Sequence, residues 1–255
     1  MAGIFDRGQA MHCAFAAALV LCAFLAAPRA WSQGQSESRQ LAAVPSTGRF
    51  DYDVIREGEK IGAHSVIFQH KGRHLAIATR TDIALKLLGI TFYRFHYEAE
   101  EDWFDWRLMR LSSRTDIDGR TLTVDLARAG DRIRGACNGI VLDLPADLLP
   151  ISVWHPDFVR QSVILDQYKC VERNVRTTDD GIEPIFAGAQ NVAAHHFAVT
   201  GELQRDLWYG PDGRIVQLMF RAQDGSEIAF VTQGRSPPPL AREQSASSAS
   251  ARRER

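Results

Sequence analysis

Residues 91–131 read TFYRFHYEAEEDWFDWRLMRLSSRTDIDGRTLTVDLARAGD, and the fold turns on how this stretch is read. From Thr91 to Asp105 the side chains alternate: Tyr93, Phe95, Tyr97 and Ala99 fall on one face of an extended chain, Arg94, His96, Glu98 and Glu100 on the other. Period two with one apolar face describes an antiparallel strand packed on one side and wet on the other. Asp105-Trp106 reads as a turn into Arg107–Ile117, and Asp118-Gly119 as a second turn into Arg120–Arg128. Tight hairpins need positive φ, which Gly adopts freely and Asp tolerates.

The same punctuation continues in both directions. Glu57-Gly58, Lys71-Gly72, Ala129-Gly130-Asp131, Asp180-Gly181, Pro211-Asp212-Gly213 and Asp224-Gly225 each stand between apolar or alternating runs. Asp131–Leu142 is less regular. Pro150–Gln161 is expected to supply a short helix, with Val153, Trp154, Phe158 and Val159 near one stripe and Pro156 limiting its length. About a dozen strands are too many for a flat open sheet, which curls or closes as it grows. The expected fold class is mainly β: a large curved antiparallel meander sheet or incomplete β-barrel with one or two short helices.

The ends read differently. Arg7 and His12 precede an uncharged run from Cys13 to Ala27, and Ala30-Trp31-Ser32 offers small residues at cleavage spacing. Residues 1–32 therefore read as a secretory signal cut near residues 30–32, which makes the mature chain periplasmic. The run is shorter than the roughly 20 residues that cross a bilayer, so no stable transmembrane segment is expected after processing. Either Met1 or Met11 is the start, and Leu21 before Cys22 does not suit lipid attachment. Residues 33–48 and 236–255 are polar, the second opening with Pro-Pro-Pro, and read as a disordered linker and tail. Residues 49–235 remain as one β domain, ample for a core.

The net charge is −1 with both signs interspersed, which lacks the electrostatic footprint of a nucleic-acid binder. Of four cysteines, Cys13 and Cys22 leave with the signal. Cys137 and Cys170 either pair in an oxidising compartment or lie apart as buried thiols.

No nucleophile elbow, His-Glu-x-x-His, paired Cys-x-x-Cys, Walker-type loop or dinucleotide Gly-rich turn occurs, so no catalytic residue, metal ligand or cofactor is assigned. His96, Glu98 and Glu100 share a strand face, but residues two apart stand about 7 Å from each other, long for one ion. Cross-strand pairing with Arg107 or Arg114 is the plainer account. His195 and His196 point to opposite faces. Leu85–Ile90 breaks the alternation and is either a core corner turned by Gly89 or an exposed apolar lip. Asp206–Tyr209 is a strand with Leu207 and Tyr209 on one face and Asp206 and Trp208 on the other, suited to a ligand wall or to an ordinary core. Trp154-His155 sits where an entrance or lid would stand.

The apolar content of Leu85–Tyr97 and Leu207–Tyr209 exceeds what a one-sided sheet requires. The leading expectation is non-enzymatic binding of an apolar or lipidic ligand on a concave sheet. Its lining would be Leu87, Leu88, Tyr93 and Phe95, together with Trp154, His155, Trp208 and Tyr209. The alternative is an envelope scaffold or protein-interaction module with a filled core. A hydrolase or metal enzyme using His96, Glu98 or His155 stands third, because no nucleophile–base pair is visible.

Tyr52-Asp53-Val54 with Gly58 and Ile61-Gly62, Lys86–Ile90, Ser152–Pro156, and Asp206–Tyr209 followed by Asp212-Gly213-Arg214 together resemble an uncharacterised family of secreted proteobacterial antiparallel-β proteins, a domain of unknown function. The likeness spans essentially the whole folded region and implies no activity or catalytic residue. A looser likeness in architecture runs to periplasmic lipoprotein carriers, whose curved sheet wraps an acyl-chain cavity.

Overall fold

Alternating sequence runs become strands joined by tight turns throughout the computed structural model, which describes residue 44 and residues 48–187 and 190–233. The expected signal over 1–32, nearly all of the 33–48 linker and the 236–255 tail lie outside the described residues. Val44, within the expected linker, packs against the core. The strands are β1 (Arg49–Arg56), β2 (Glu59–Lys71), β3 (His74–Leu87), β4 (Ile90–Phe104), β5 (Arg107–Ile117), β6 (Arg120–Ala129), β7 (Arg132–Cys137) and β8 (Ile140–Pro145). They continue as β9 (Leu149–Pro150), β10 (Val163–Asp166), β11 (Val171–Ala187), β12 (Gln190–Gly201), β13 (Arg205–Tyr209), β14 (Ile215–Arg221) and β15 (Glu227–Thr232).

Among the described residues, all fifteen strands join one sheet in the order β8-β7-β6-β5-β4-β3-β2-β1-β15-β14-β13-β12-β11-β10-β9. Neighbours are antiparallel except β9 and β10. Because β1 pairs with both β2 and β15, the first and last strands meet in the middle of the sheet. Backbone pairing leaves the sheet open, with β8 and β9 as its ends. Cys137 at the end of β7 and Cys170 just before β11 form a disulfide, which resolves their pairing and ties the two ends together.

The hairpin chemistry follows the sequence. Glu57-Gly58, Leu88-Gly89, Asp118-Gly119 and Asn138-Gly139 each place positive φ at both central residues, the conformation whose twist matches the flanking strands. Three details differ from expectation. Asp180-Gly181 is a bulge within β11, not a turn, since Asp179 pairs with Phe197 and Gly181 with His196; positive φ at Gly181 serves a bulge as well as a hairpin. Asn138-Gly139 splits the less regular Asp131–Leu142 stretch into β7 and β8. The helix expected over Pro150–Gln161 contracts to a single 3-10 turn at Phe158–Arg160, because Pro156 lacks the N–H that a helix interior requires and contacts with the sheet fix the rest.

Those contacts make the core. Residues 146–170 leave the sheet after β8, cross its concave face and rejoin it through β10, forming an internal plug. Leu148, Leu149, Trp154, Phe158, Ile164 and Leu165 of the plug are buried in one cluster with Phe68, Leu75, Trp103, Leu111 and Leu126 from the sheet. The Trp154 ring lies edge-on to Phe68 at 5.5 Å and to Trp103 at 5.3 Å. Full burial of each such side chain stabilises the fold by about 2–3 kcal/mol, so the plug is integral to the molecule.

Candidate functional site at the open end of the sheet

The plug fills only part of the concave face. Strand registers line up Leu218, Phe230, Val54, Gly62, Ile83, Phe95 and Ile117 in one row along the hydrogen-bond direction. Two residues further along their strands, on the same face, stand Arg205, Phe220, Leu85 and Tyr93. One row towards the plug lie His64, Thr81, Tyr97 and Thr115.

Burial changes across these rows. Thr81, Tyr97 and Thr115 are buried, whereas Ile83, Leu85, Tyr93, Phe95, Phe220 and Phe230 are half-buried although they face inward. Gly62 puts no side chain at the middle of its row. The concave sheet thus ends in an open, apolar mouth. Tyr168, at the top of the plug, forms its floor, with its ring 4.7 Å from Tyr97 and 6.4 Å from Phe95. Burial pushes the Tyr97 phenol up to about 12 and raises Tyr168 further, so both are neutral donors at physiological pH. His64 bonds Thr81 Oγ1 through Nδ1 at 2.7 Å, and burial lowers its pKa to about 4, which keeps it uncharged.

From one side of the mouth an arm projects. Pairing of β2 with β3 stops at Gly62–Ile83 and pairing of β4 with β5 starts at Phe95–Ile117, yet β3 and β4 remain paired out to Leu87–Ile90. Beyond Arg94, whose N–H donates to Asp118 Oδ1 at 2.7 Å and whose carbonyl accepts the Asp118 N–H at 3.1 Å, residues 84–93 are a free two-stranded hairpin. Leu87, Leu88, Ile90 and Phe92 are 67, 95, 73 and 59% exposed, so the apolar stretch is a lip and not a core corner. Leu85 and Tyr93 continue the face that Leu87 and Ile90 occupy, while the opposite face carries exposed Lys86 and Arg94 beside Phe92, so the arm is apolar on one face and at its tip.

The residues expected to line one site fall into five places. Tyr93 and Phe95 line the mouth, and Leu87 and Leu88 tip the arm beside it. Trp154 belongs to the core. His155 stacks on Trp103 at 5.1 Å and borders a separate open cleft of about 740 Å³ at the opposite end of the sheet, with Trp106, Arg107, Arg128 and Asp157. Burial lowers the His155 pKa, against the pull of Asp157 and the Trp106 carbonyl. Tyr209 is a core residue whose hydroxyl donates to the Val153 carbonyl at 2.8 Å, fastening the plug. Trp208 is buried on the convex face, stacked 4.4 Å from His196 and donating to Glu183 at 2.6 Å.

Sequence reasoning missed Phe220, Phe230 and Arg205, because only the long-range β1–β15 pairing brings their strands beside β3 and β4. The other candidates are ordinary surface: His96 Nδ1 bonds Asp82 at 2.6 Å and Arg80 pairs with Glu98 at 2.8 Å across neighbouring strands. His195 bonds Asp179 while His196 bonds Asp206, on opposite faces.

Comparison with known proteins agrees with this architecture. A solved β-barrel-like protein of domain of unknown function DUF1849 from Brucella abortus superposes with a TM-score of 0.52 at 10% identity, covering 72% of this chain and 95% of that one, a likeness of fold alone. No curated protein matches the sequence. The family model described as domain of unknown function DUF6134 matches residues 52–233, the whole sheet but for a few terminal residues. The resemblance to an uncharacterised β family is therefore borne out, and this chain belongs to the DUF6134 family.

Proposed function

We propose that the protein acts outside the cytoplasm without catalysis, taking an apolar or lipidic ligand into the open mouth of its curved sheet. The observation that carries this reading is the set of inward-facing but half-buried side chains, Ile83, Leu85, Tyr93, Phe95, Phe220 and Phe230, left uncovered where the plug ends. An apolar concavity of this kind gains about 0.8 kcal/mol for each methylene removed from water. The arm supports the same reading. A hairpin apolar on one face and at its tip, with Lys86 and Arg94 on the other, suits the headgroup–acyl boundary of a bilayer, and it would present the mouth to a lipid surface. The disulfide supports an oxidising compartment and, with it, removal of residues 1–32 as a signal.

The test is uptake of N-phenyl-1-naphthylamine, an uncharged apolar dye whose fluorescence rises in dry surroundings. The native protein is expected to bind it, and Tyr93→Asp to weaken binding about tenfold or more with little change in melting temperature. Absence of any binding, or equal binding by both proteins, would remove the ligand reading. It would leave the scaffold alternative, in which the filled lower core is the whole design and the arm docks on an envelope protein.

A further inference from the structure

Arg205 stands at the rim of the mouth without an acidic partner. It opens β13 on the concave side, across from Val199, and its guanidinium carbon lies 4.1 Å above the centre of the Phe220 ring. Its side chain hydrogen-bonds only the neighbouring Gln204 carbonyl, at 2.7 Å, among the described residues. Asp166, whose charge reaches it, is occupied by Arg173 at 3.2 Å. Arg56, which faces the same row as Phe220, is held by Asp224, whereas Arg80 with Glu98 and Arg132 with Asp143 pair on the outside. A half-buried cation lacking a counter-charge carries a desolvation penalty that a bound anion relieves.

We propose that the ligand of the mouth is an amphiphile with an acidic head group, a carboxylate or a phosphate, and that Arg205 receives that head while the chain lies along Leu85, Tyr93, Phe95 and Phe230. This rests on the ligand-binding reading above and specifies its chemical class. Phe220 holds the guanidinium plane, leaving its outer nitrogens to grip two oxygens of one head group. With His64 neutral and Arg56 held by Asp224, Arg205 is the uncompensated positive charge beside the apolar rows.

The experiment is displacement of the bound dye at pH 7.5 by decanoate, decyl phosphate and decanol, which share one chain and differ in the head. Native protein is expected to bind the two anions about tenfold or more tightly than the alcohol. Arg205→Gln is expected to lose that preference while keeping its affinity for dye and decanol. Arg205→Lys, which keeps the charge, is expected to retain part of the preference, and this separates loss of charge from loss of fold. Preference between decanoate and decyl phosphate distinguishes a fatty acid from a phospholipid source. Equal affinity for all three by the native protein, or an undiminished anion preference in Arg205→Gln, would overturn the role of Arg205 and leave the apolar mouth intact. Failure of the dye itself to bind would remove both.

Discussion

Glu101 carries an ionisable group into the interior, where its two oxygens accept hydrogen bonds from Ser152 Oγ at 2.8 Å and Trp103 Nε1 at 2.9 Å. Burial raises its pKa, only partly opposed by those donors. The folded state therefore holds this proton more tightly than the unfolded chain does. Its contribution to stability is greatest below the unfolded carboxyl pKa and is lost as pH rises through the folded one. Glu101→Gln keeps both partners and removes the charge, so it is expected to melt higher than the native protein at pH 8, with the difference vanishing near pH 4. His64 has the opposite sign. Its folded pKa near 4 lies below the ordinary imidazole value of about 6.5, so stability is lost as pH falls through that window. Thermal melts of His64→Asn between pH 4 and 6.5 are expected to show a flatter dependence than the native protein; an equally steep one would assign that limb to other groups.

At the scale of elements, the arm and the plug have opposite energetics. Leu88 and Ile90 touch little, so Leu88→Asp with Ile90→Asp is expected to leave the melting temperature nearly unchanged. The same pair is expected to reduce co-sedimentation with phosphatidylethanolamine–phosphatidylglycerol vesicles, since four exposed apolar side chains offer on the order of 5 kcal/mol, comparable with one acyl chain. Undiminished co-sedimentation would detach the arm from lipid contact. Trp154 is wedged between Phe68 and Trp103, and Trp154→Ala is expected to cost about 3–5 kcal/mol in denaturant unfolding, by opening a cavity at the centre of the plug. Legibility in the sequence divides the same way. Period-two alternation and Gly-containing turns describe β1 to β6 closely, because hairpin register is a local property. Within the plug the sequence suggests only a short helix over Pro150–Gln161, for the plug's conformation comes from distant sheet residues such as Glu101 and Tyr209, and not from any period of its own.

For the molecule as a whole, the fifteen-strand sheet of the described residues, which does not close by hydrogen bonds, is closed by one covalent bond between its ends. Cys137 and Cys170 are 33 residues apart, and a loop of that length contributes about 4 kcal/mol in the chain-entropy account. Reduction, or Cys137→Ser with Cys170→Ser, is expected to lower the melting temperature and to speed hydrogen exchange first in β8 and β10. Uniform acceleration across the sheet would show that the bridge is not a local clasp. Spacing alone left these two cysteines open between pairing and separate burial, because the sheet's two ends meet only after it has curled. The mouth was half legible for the same reason: Tyr93 and Phe95 announce themselves by alternation, while Phe220, Phe230 and Arg205 join them through strand pairings that no local pattern encodes. The measurement that bears most directly on the central claim is native mass spectrometry of the mature protein expressed in the periplasm, before and after organic extraction. An adduct of lipid mass, acidic in head group and removed by extraction, is the predicted result. A protein of bare polypeptide mass that also fails to take up dye or decanoate afterwards would contradict it.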